Sequence, residues 1–371
     1  MINRFIALGL ISLVTFGCKK EKQVVSVNEQ GQEMVVNEHG DTVVWTDNSA
    51  IVADTDNSVF QNNTDLSTSA PNSSQSGKAL APDTQGLYNF HFELVKGEEY
   101  PFSISSNTSN TQKLGTESMT LRQNQVTSLV YKVKDVTPTG YLLEVTYKRF
   151  QESVTDGKET LGFDTNAGEP KDEAGKMRWK FNKALVGNSF TMDVSNRGNV
   201  NRVDGLEAIR SKARNSISTG LNAEERKGLD EFLKMSINEE MMKAMFEESF
   251  AYYPPKPVRV GESWDRTEGD KNASAKVTYT FTGVNNGIAN ISVNGSSTGS
   301  DSETVNEGPQ KGLKLSRKLT GSVKGNLQIS ERTGWIQTAN LDRTENLSIT
   351  QQFENQKETM TSTTTTKTKI N

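Results

Sequence analysis

The sequence predicts a mainly β protein with a helical insert, an α+β arrangement: a curved antiparallel sheet or open barrel, with about three helices between two β halves. Three observations carry this. Apolar residues alternate with period two on both sides of the chain's middle, as in Leu129, Tyr131 and Val133 and again in Val277, Tyr279 and Phe281. Between Gly205 and Tyr252 the period changes, and Leu229, Phe232 and Leu233 share one helical face, as do Met242, Met245, Phe246 and Phe250. Finally, the pattern Val-x-Gly-x-x-aromatic recurs at Val95 to Tyr100, more loosely at Val186 to Phe190, and at Val260 to Trp264. Each copy sets a glycine, able to take positive φ, just before an aromatic residue that suits a half-buried pleated surface.

Composition narrows the function classes. The chain has 371 residues, 33% of them apolar, and a net charge of −4. It carries no basic stripe, which argues against nucleic acid as a partner. Cys18 is the only cysteine, so internal disulfides and thiolate metal clusters are excluded. With His39 and His91 as the only histidines, a multi-histidine zinc site is excluded too. No cofactor is expected.

The amino terminus is the most specific signal. Met1 to Arg4 is short and positive, Phe5 to Phe16 is nearly all apolar, and Gly17-Cys18 ends that run before Lys19-Lys20. Such a run is too short to span a bilayer, which needs about 20 residues, and has the length of a signal-peptide core. The small residue before a lone cysteine resembles the lipobox of bacterial lipoproteins, with Thr15 and Phe16 departing from the commoner leucine and small residue. The resemblance implies that residues 1–17 are a signal peptide, that Cys18 carries lipid, and that the chain is anchored in the outer membrane.

Taken in order, residues 18–85 form a lipidated N terminus with weak hairpins and a linker. Valine-rich runs flank Glu29-Gln30-Gly31 and Glu38-His39-Gly40-Asp41, a hairpin signature. Asp54 to Gln85 is rich in Ser, Asn, Thr and Asp and buries too little to offset its ordering entropy. The β-rich body is expected over 86–371. Tyr88, Phe90, Phe92 and Leu94 alternate as a strand with one wet face, and Tyr100, Phe102 and Ile104 continue it. Asn107 to Gln125 is polar and reads as an exposed strand pair or a loop. Leu129 to Val133 and Tyr141 to Tyr147 form a hairpin about Pro138-Thr139-Gly140. Met177, Trp179 and Phe181 alternate and predict a further strand. Three cap signatures then open helices within the insert, 205–252: Asp204 with Glu207, Asn222 with Glu225, and Ser236 with Glu239. Pro254-Pro255-Lys256-Pro257 ends them. Beyond, a hairpin turns at Asn285-Asn286-Gly287 and repeats the earlier one in miniature, which suggests an internal duplication. Ser296 to Lys311 reads as a loop, Val323 to Ile329 and Trp335 to Ile349 as strands, and threonine-rich Thr359 to Ile370 as an exposed or edge strand.

The glycine turn, aromatic strand, helical insert, proline run and Val260-Gly261-Glu262-Ser263-Trp264 together resemble a family of uncharacterised Bacteroidota lipoproteins with a domain of unknown function. The resemblance covers roughly Gly86 to Asn371 and supplies no catalytic residues.

Candidate chemistry is sparse. Gly261-Glu262-Ser263-Trp264-Asp265 approaches a nucleophile elbow but puts Asp265 where a small residue is needed, and no histidine base accompanies it. Asp54 to Asp65 resembles a calcium loop with Val59 in place of the required glycine. An enzyme is therefore not expected. The methionine-rich helical face is the feature that points to a ligand: Met242, Met245, Phe246 and Phe250 form either a lid over the sheet, holding an apolar ligand or lipid, or part of the core. The expected function is a membrane-anchored, non-catalytic envelope module that binds an apolar ligand; the alternative is a structural protein that meets another envelope protein.

Overall fold

The structure, a computed structural model, describes residues 24–27, 33–36, 42–44, 78–250, 252–270, 272–306, 311–353 and 356–371. Cys18 and the calcium-like segment 54–65 lie outside the described residues. Near the N terminus, β1 (Val24–Val27), β2 (Glu33–Val36) and β3 (Thr42–Val44) form a small antiparallel sheet in that order.

The body is built on one open antiparallel sheet of 12 strands, not closed into a barrel. Its first part comprises β4 (Glu99–Leu114), β5 (Glu117–Thr137), β6 (Gly140–Thr155), β7 (Thr160–Asp164), helix α1 (Glu173–Leu185), β8 (Ser189–Ser195) and β9 (Val200–Asp204). The insert follows as α2 (Leu206–Ile217), α3 (Ala223–Ser236) and α4 (Glu239–Phe250). A meander completes the chain: β10 (Ser263–Gly269), β11 (Ala273–Asn285), β12 (Ile288–Thr304), β13 (Lys314–Ser330), β14 (Ile336–Phe353) and β15 (Gln356–Ile370). The order across the sheet is β10-β11-β12-β13-β14-β15-β4-β5-β6-β8-β9, with β7 beside β6. The helices lie against β6, β7, β8 and β9, and none in the described residues is long and apolar enough to cross a membrane.

The repeated glycine pattern has one structural meaning. Gly97, Gly187 and Gly261 all take positive φ, at 87°, 77° and 88°. Their N–H groups donate to the carbonyls of Val133, Tyr147 and Phe281 on the neighbouring strand. The turn thus docks the chain onto the sheet, and the aromatic that follows, Tyr100, Phe190 or Trp264, enters the core. A left-handed backbone is cheap for glycine and costly for other residues, which explains the residue choice.

Several expectations need correction. Met177, Trp179 and Phe181 lie on helix α1, capped by the Asp172 carboxylate accepting from Gly175 N–H at 2.6 Å. Spacing of i, i+2, i+4 looks like a strand, but Phe181, Asn182 and Leu185 turn inward at helical spacing, and Phe181 meets Phe232 of α3. Helix α2 is preceded by Gly205 at positive φ, with Asp204 still in β9. Helix α4 is capped by Asn238, whose side chain accepts from Met241 N–H, and not by Ser236. The box at Asn222 and Glu225 forms as expected. Tyr88 to Leu94 alternates in burial yet joins no ladder beyond a bridge to Val258. The polar run Ser296 to Thr304 is strand, the outer part of β12, and the threonine-rich β15 lies mid-sheet between β14 and β4. Packing also begins earlier than Gly86: Ala79 and Leu80 are fully buried, with their N–H groups on the carbonyls of Arg332 and Glu331.

The core occupies one end of the sheet. Residues 86–94 run across that end and tie its wings together: Phe92 N–H donates to Asn196 O at 2.7 Å, Glu93 N–H to Thr333 O at 3.0 Å, and Tyr88 N–H to Val258 O at 2.8 Å. Aromatic rings continue the tie. Phe92 contacts Tyr253 and Trp335, and Phe90 contacts Tyr253, Trp264 and Phe281. Each such pair contributes about 0.5–1.5 kcal/mol beyond its burial.

The strands run far past this core. β12 and β13 pair without a register slip from Ile288 opposite Ser330 to Thr304 opposite Lys314, a length of roughly 55 Å. In that outer half no helix covers the sheet among the described residues, and side chains on both faces are solvated. Cross-strand pairs hold it instead, such as Thr108 with Thr366 at 3.1 Å and Asn110 with Ser362 and Thr364 at 2.9 and 2.6 Å. Pairs of this kind are worth about 0.2–1 kcal/mol each.

Candidate functional site

The methionine-rich face of α4 packs into the core. Met242 and Phe246 are buried, and Met245 is partly buried against the same cluster. Phe246 sits edge-on to Tyr131 with centroids 5.7 Å apart and also meets Phe190 at 5.7 Å. Tyr147 directs its hydroxyl at Met242 Sδ, 3.7 Å away. Burial pushes the Tyr147 phenol well above its ordinary range, because the charged form would lose its water. The Phe250 side chain and Cys18 lie outside what is described. Elsewhere Ser263 Oγ meets Thr280 Oγ1 at 2.8 Å on an exposed strand pair, and His91 Nδ1 lies 2.8 Å from Asn89 O. No group of three or more metal-ligating side chains converges among the described residues.

The feature that sequence reading missed is the continuation of the sheet's inner face. Side chains in register with core residues Tyr100, Phe102, Tyr131 and Leu327 form rows that extend beyond the core. The first rows are polar. Ser106 lies beside Gln125 and Thr368, and Thr108 beside Gln123 and Thr366. Glu152, opposite Gln125, is 6% exposed and accepts from Arg178 of α1 at 2.5 Å. Desolvation raises its pKa above the ordinary glutamate range, although Arg178, Gln123 and Gln125 oppose the shift. Arg343 pairs with Glu345 at 2.6 Å in the same belt.

Beyond the belt the inner face turns apolar again. Leu319 faces Leu347 across β13 and β14, Ile349 faces Met360 across β14 and β15, and Met360 faces Leu114 across β15 and β4. Met119 and Leu121 of β5 extend the patch. Leu114 and Met119 are exposed and the others half-buried. Arg317 at the border is neutralised by Asp301 at 3.1 Å and Glu303 at 2.7 Å. The signal was available in the sequence as Leu347, Ile349 and Met360 within polar strands, but assigning them one face requires the register of four strands.

A family of unknown function, DUF6263, matches residues 138–336. The chain belongs to this family. The DUF6263 match runs from the β5–β6 turn through the helical insert to the first residue of β14, so it holds Phe246 and Trp335. It leaves out β4 and β15, which join the two halves of the sheet. No curated protein matches this DUF6263 chain. Among solved structures, lipovitellin, described for its lipid–protein interactions, is similar at 9% identity and a TM-score of 0.35 over 73% of this chain. The chain spans 25% of the length of lipovitellin. Pseudomonas aeruginosa OpdQ aligns at 7% identity and a TM-score of 0.19, covering 74% of this chain and 99% of OpdQ. Likenesses this low carry no functional argument.

Proposed function

We propose that this protein is a non-catalytic binding module of the cell envelope, tethered to a membrane through lipid on Cys18, and that its outer inner-face patch holds the acyl chain of a lipid. The observation that supports the reading is the uncovered apolar patch of Leu114, Met119, Leu319, Leu347, Ile349 and Met360, on the face that elsewhere forms the core. Apolar patches rimmed by polar residues mark interaction sites. Hydroxyl and amide groups and paired charges border this one, which suits an amphipathic ligand with a neutral or zwitterionic head. Each methylene removed from water there contributes about 0.8 kcal/mol.

The test is titration of the protein with a fluorescent fatty-acid probe, alongside a Leu347→Asp/Met360→Asp variant. Probe affinity is expected to fall at least about tenfold while the melt is retained, because a charge is desolvated where the chain would lie. Unchanged probe binding in a folded variant overturns the reading. Anchoring is tested separately: Cys18→Ser should release the protein from membranes, since stable retention requires more than one acyl chain.

A further inference from the structure

The two faces of the sheet differ in how their charges are compensated. On the inner face, Arg178, Arg317 and Arg343 all have carboxylate partners. On the outer face the alternate positions of β13, β14 and β15 are polar throughout, from Lys314 to Ser330, Thr338 to Gln352 and Lys357 to Lys369. Lys318 and Lys324 of β13, Lys367 and Lys369 of β15, Lys113 of β4 and Arg122 of β5 stand there exposed, and among the described residues none is ion-paired. Asp342 is the one carboxylate among the outer positions of β13–β15, between Lys324 and Lys367. Lysines two residues apart on a strand are about 7 Å apart, and those two strands apart about 10 Å. Serine, threonine and asparagine fill the intervening positions, as in Ser105, Asn107, Thr363 and Thr365.

We propose that this outer face docks an acidic polysaccharide, a polyhydroxylated chain bearing carboxylate or sulfate groups. The unpaired cations provide the charge complementarity, in a protein whose net charge is −4. The hydroxyl and amide rows between them supply hydrogen bonds that match a sugar chain. A bilayer surface fits less well, because β13, β14 and β15 present no outer apolar or aromatic residue to enter the headgroup layer. Single-stranded nucleic acid fits less well for the same reason, as it is held by aromatic stacking. This docking is independent of a lipid on the inner face.

The experiment measures binding of the protein to polygalacturonate, to neutral dextran, to vesicles of phosphatidylcholine with phosphatidylglycerol, and to oligonucleotides, at low and physiological salt. Polygalacturonate is expected to bind and dextran not, with affinity falling several-fold as salt rises. A Lys318→Ser/Lys367→Ser/Lys369→Ser variant should lose at least about tenfold, while Lys96→Ser, which removes a lysine paired with Asp135 at 2.7 Å, should not. Equal loss in both variants, no binding to polygalacturonate at low salt, or tighter binding to vesicles or oligonucleotides would overturn the proposal.

Discussion

The rings of Tyr131 and Trp335 meet at 65° with centroids 5.1 Å apart, although the residues come from opposite sides of the helical insert. Trp335 also contacts Tyr100, Phe92 and Phe102, so one indole joins the N-terminal strands, the crossing segment and the C-terminal meander. Phe246 of α4 packs on the same Tyr131. Insert and sheet therefore share one core.

Truncating Phe246 tests that sharing. Phe246→Ala should destabilise the body by about 3–5 kcal/mol through lost transfer energy and a cavity. Met241→Ala, on the exposed side of the same helix, should change stability by less than about 0.5 kcal/mol. Denaturant melts of both variants decide the matter; a Phe246→Ala melt like that of Met241→Ala would mean that α4 is not part of the core.

Two glycines separate conformational cost from steric cost. Gly97 and Gly334 both have positive φ, 87° and 72°. A Cβ on Gly97 would meet nothing within 4 Å, whereas on Gly334 it would lie 2.1 Å from His91 O and 2.7 Å from Tyr253 Oη. Gly97→Ala should cost about 1–2 kcal/mol, the left-handed penalty alone. Gly334→Ala should cost more than about 3 kcal/mol, because the crossing segment must move and Tyr253 lose its bond to the Gly334 carbonyl at 2.8 Å. Equal melting shifts for the two would contradict the close approach at Gly334.

Glu152 sets a pH dependence of known sign. Its folded pKa is raised by burial, so protonation favours the folded state. The stability it contributes is present below the ordinary carboxylate range, near pH 4, and is lost as pH rises through the raised folded value. Glu152→Gln removes that titration. Relative to the variant, the native protein should lose stability between about pH 4 and neutrality, and parallel urea midpoints for the two across that window would show that Arg178 compensates the carboxylate fully.

Much of the fold was legible in local pattern. The Tyr131–Tyr147 hairpin, the three helices of the insert and the glycine-plus-aromatic docking turns follow from period, caps and turn residues that act over a few positions. What escaped was set by distant partners. The run Ser296 to Thr304 has loop composition, yet it pairs residue for residue with β13, because ladder hydrogen bonds do not need apolar side chains. Thr359 to Ile370 reads as an edge until β4, more than half the chain away, is placed beside it. The inner-face patch depends on the same long-range register. The α4 methionines were visible as a face, but only the rings of Tyr131 and Phe190 show what fills the space opposite Phe246.

Strand β5 passes through two mechanical environments. At Tyr131 it is clamped under fully buried aromatics, and at Arg122 both of its faces are wet. Opening that begins at the β4–β5 tip breaks ladder bonds and small polar pairs, and can stop before it reaches the clamp. Amide protons along this one strand should therefore exchange on a gradient, fast by fraying near Arg122 and only through global opening at Tyr131. The sheet behaves as a leaf spring fixed at one end, whose free end can flex to admit a bound chain while the fixed end keeps the fold.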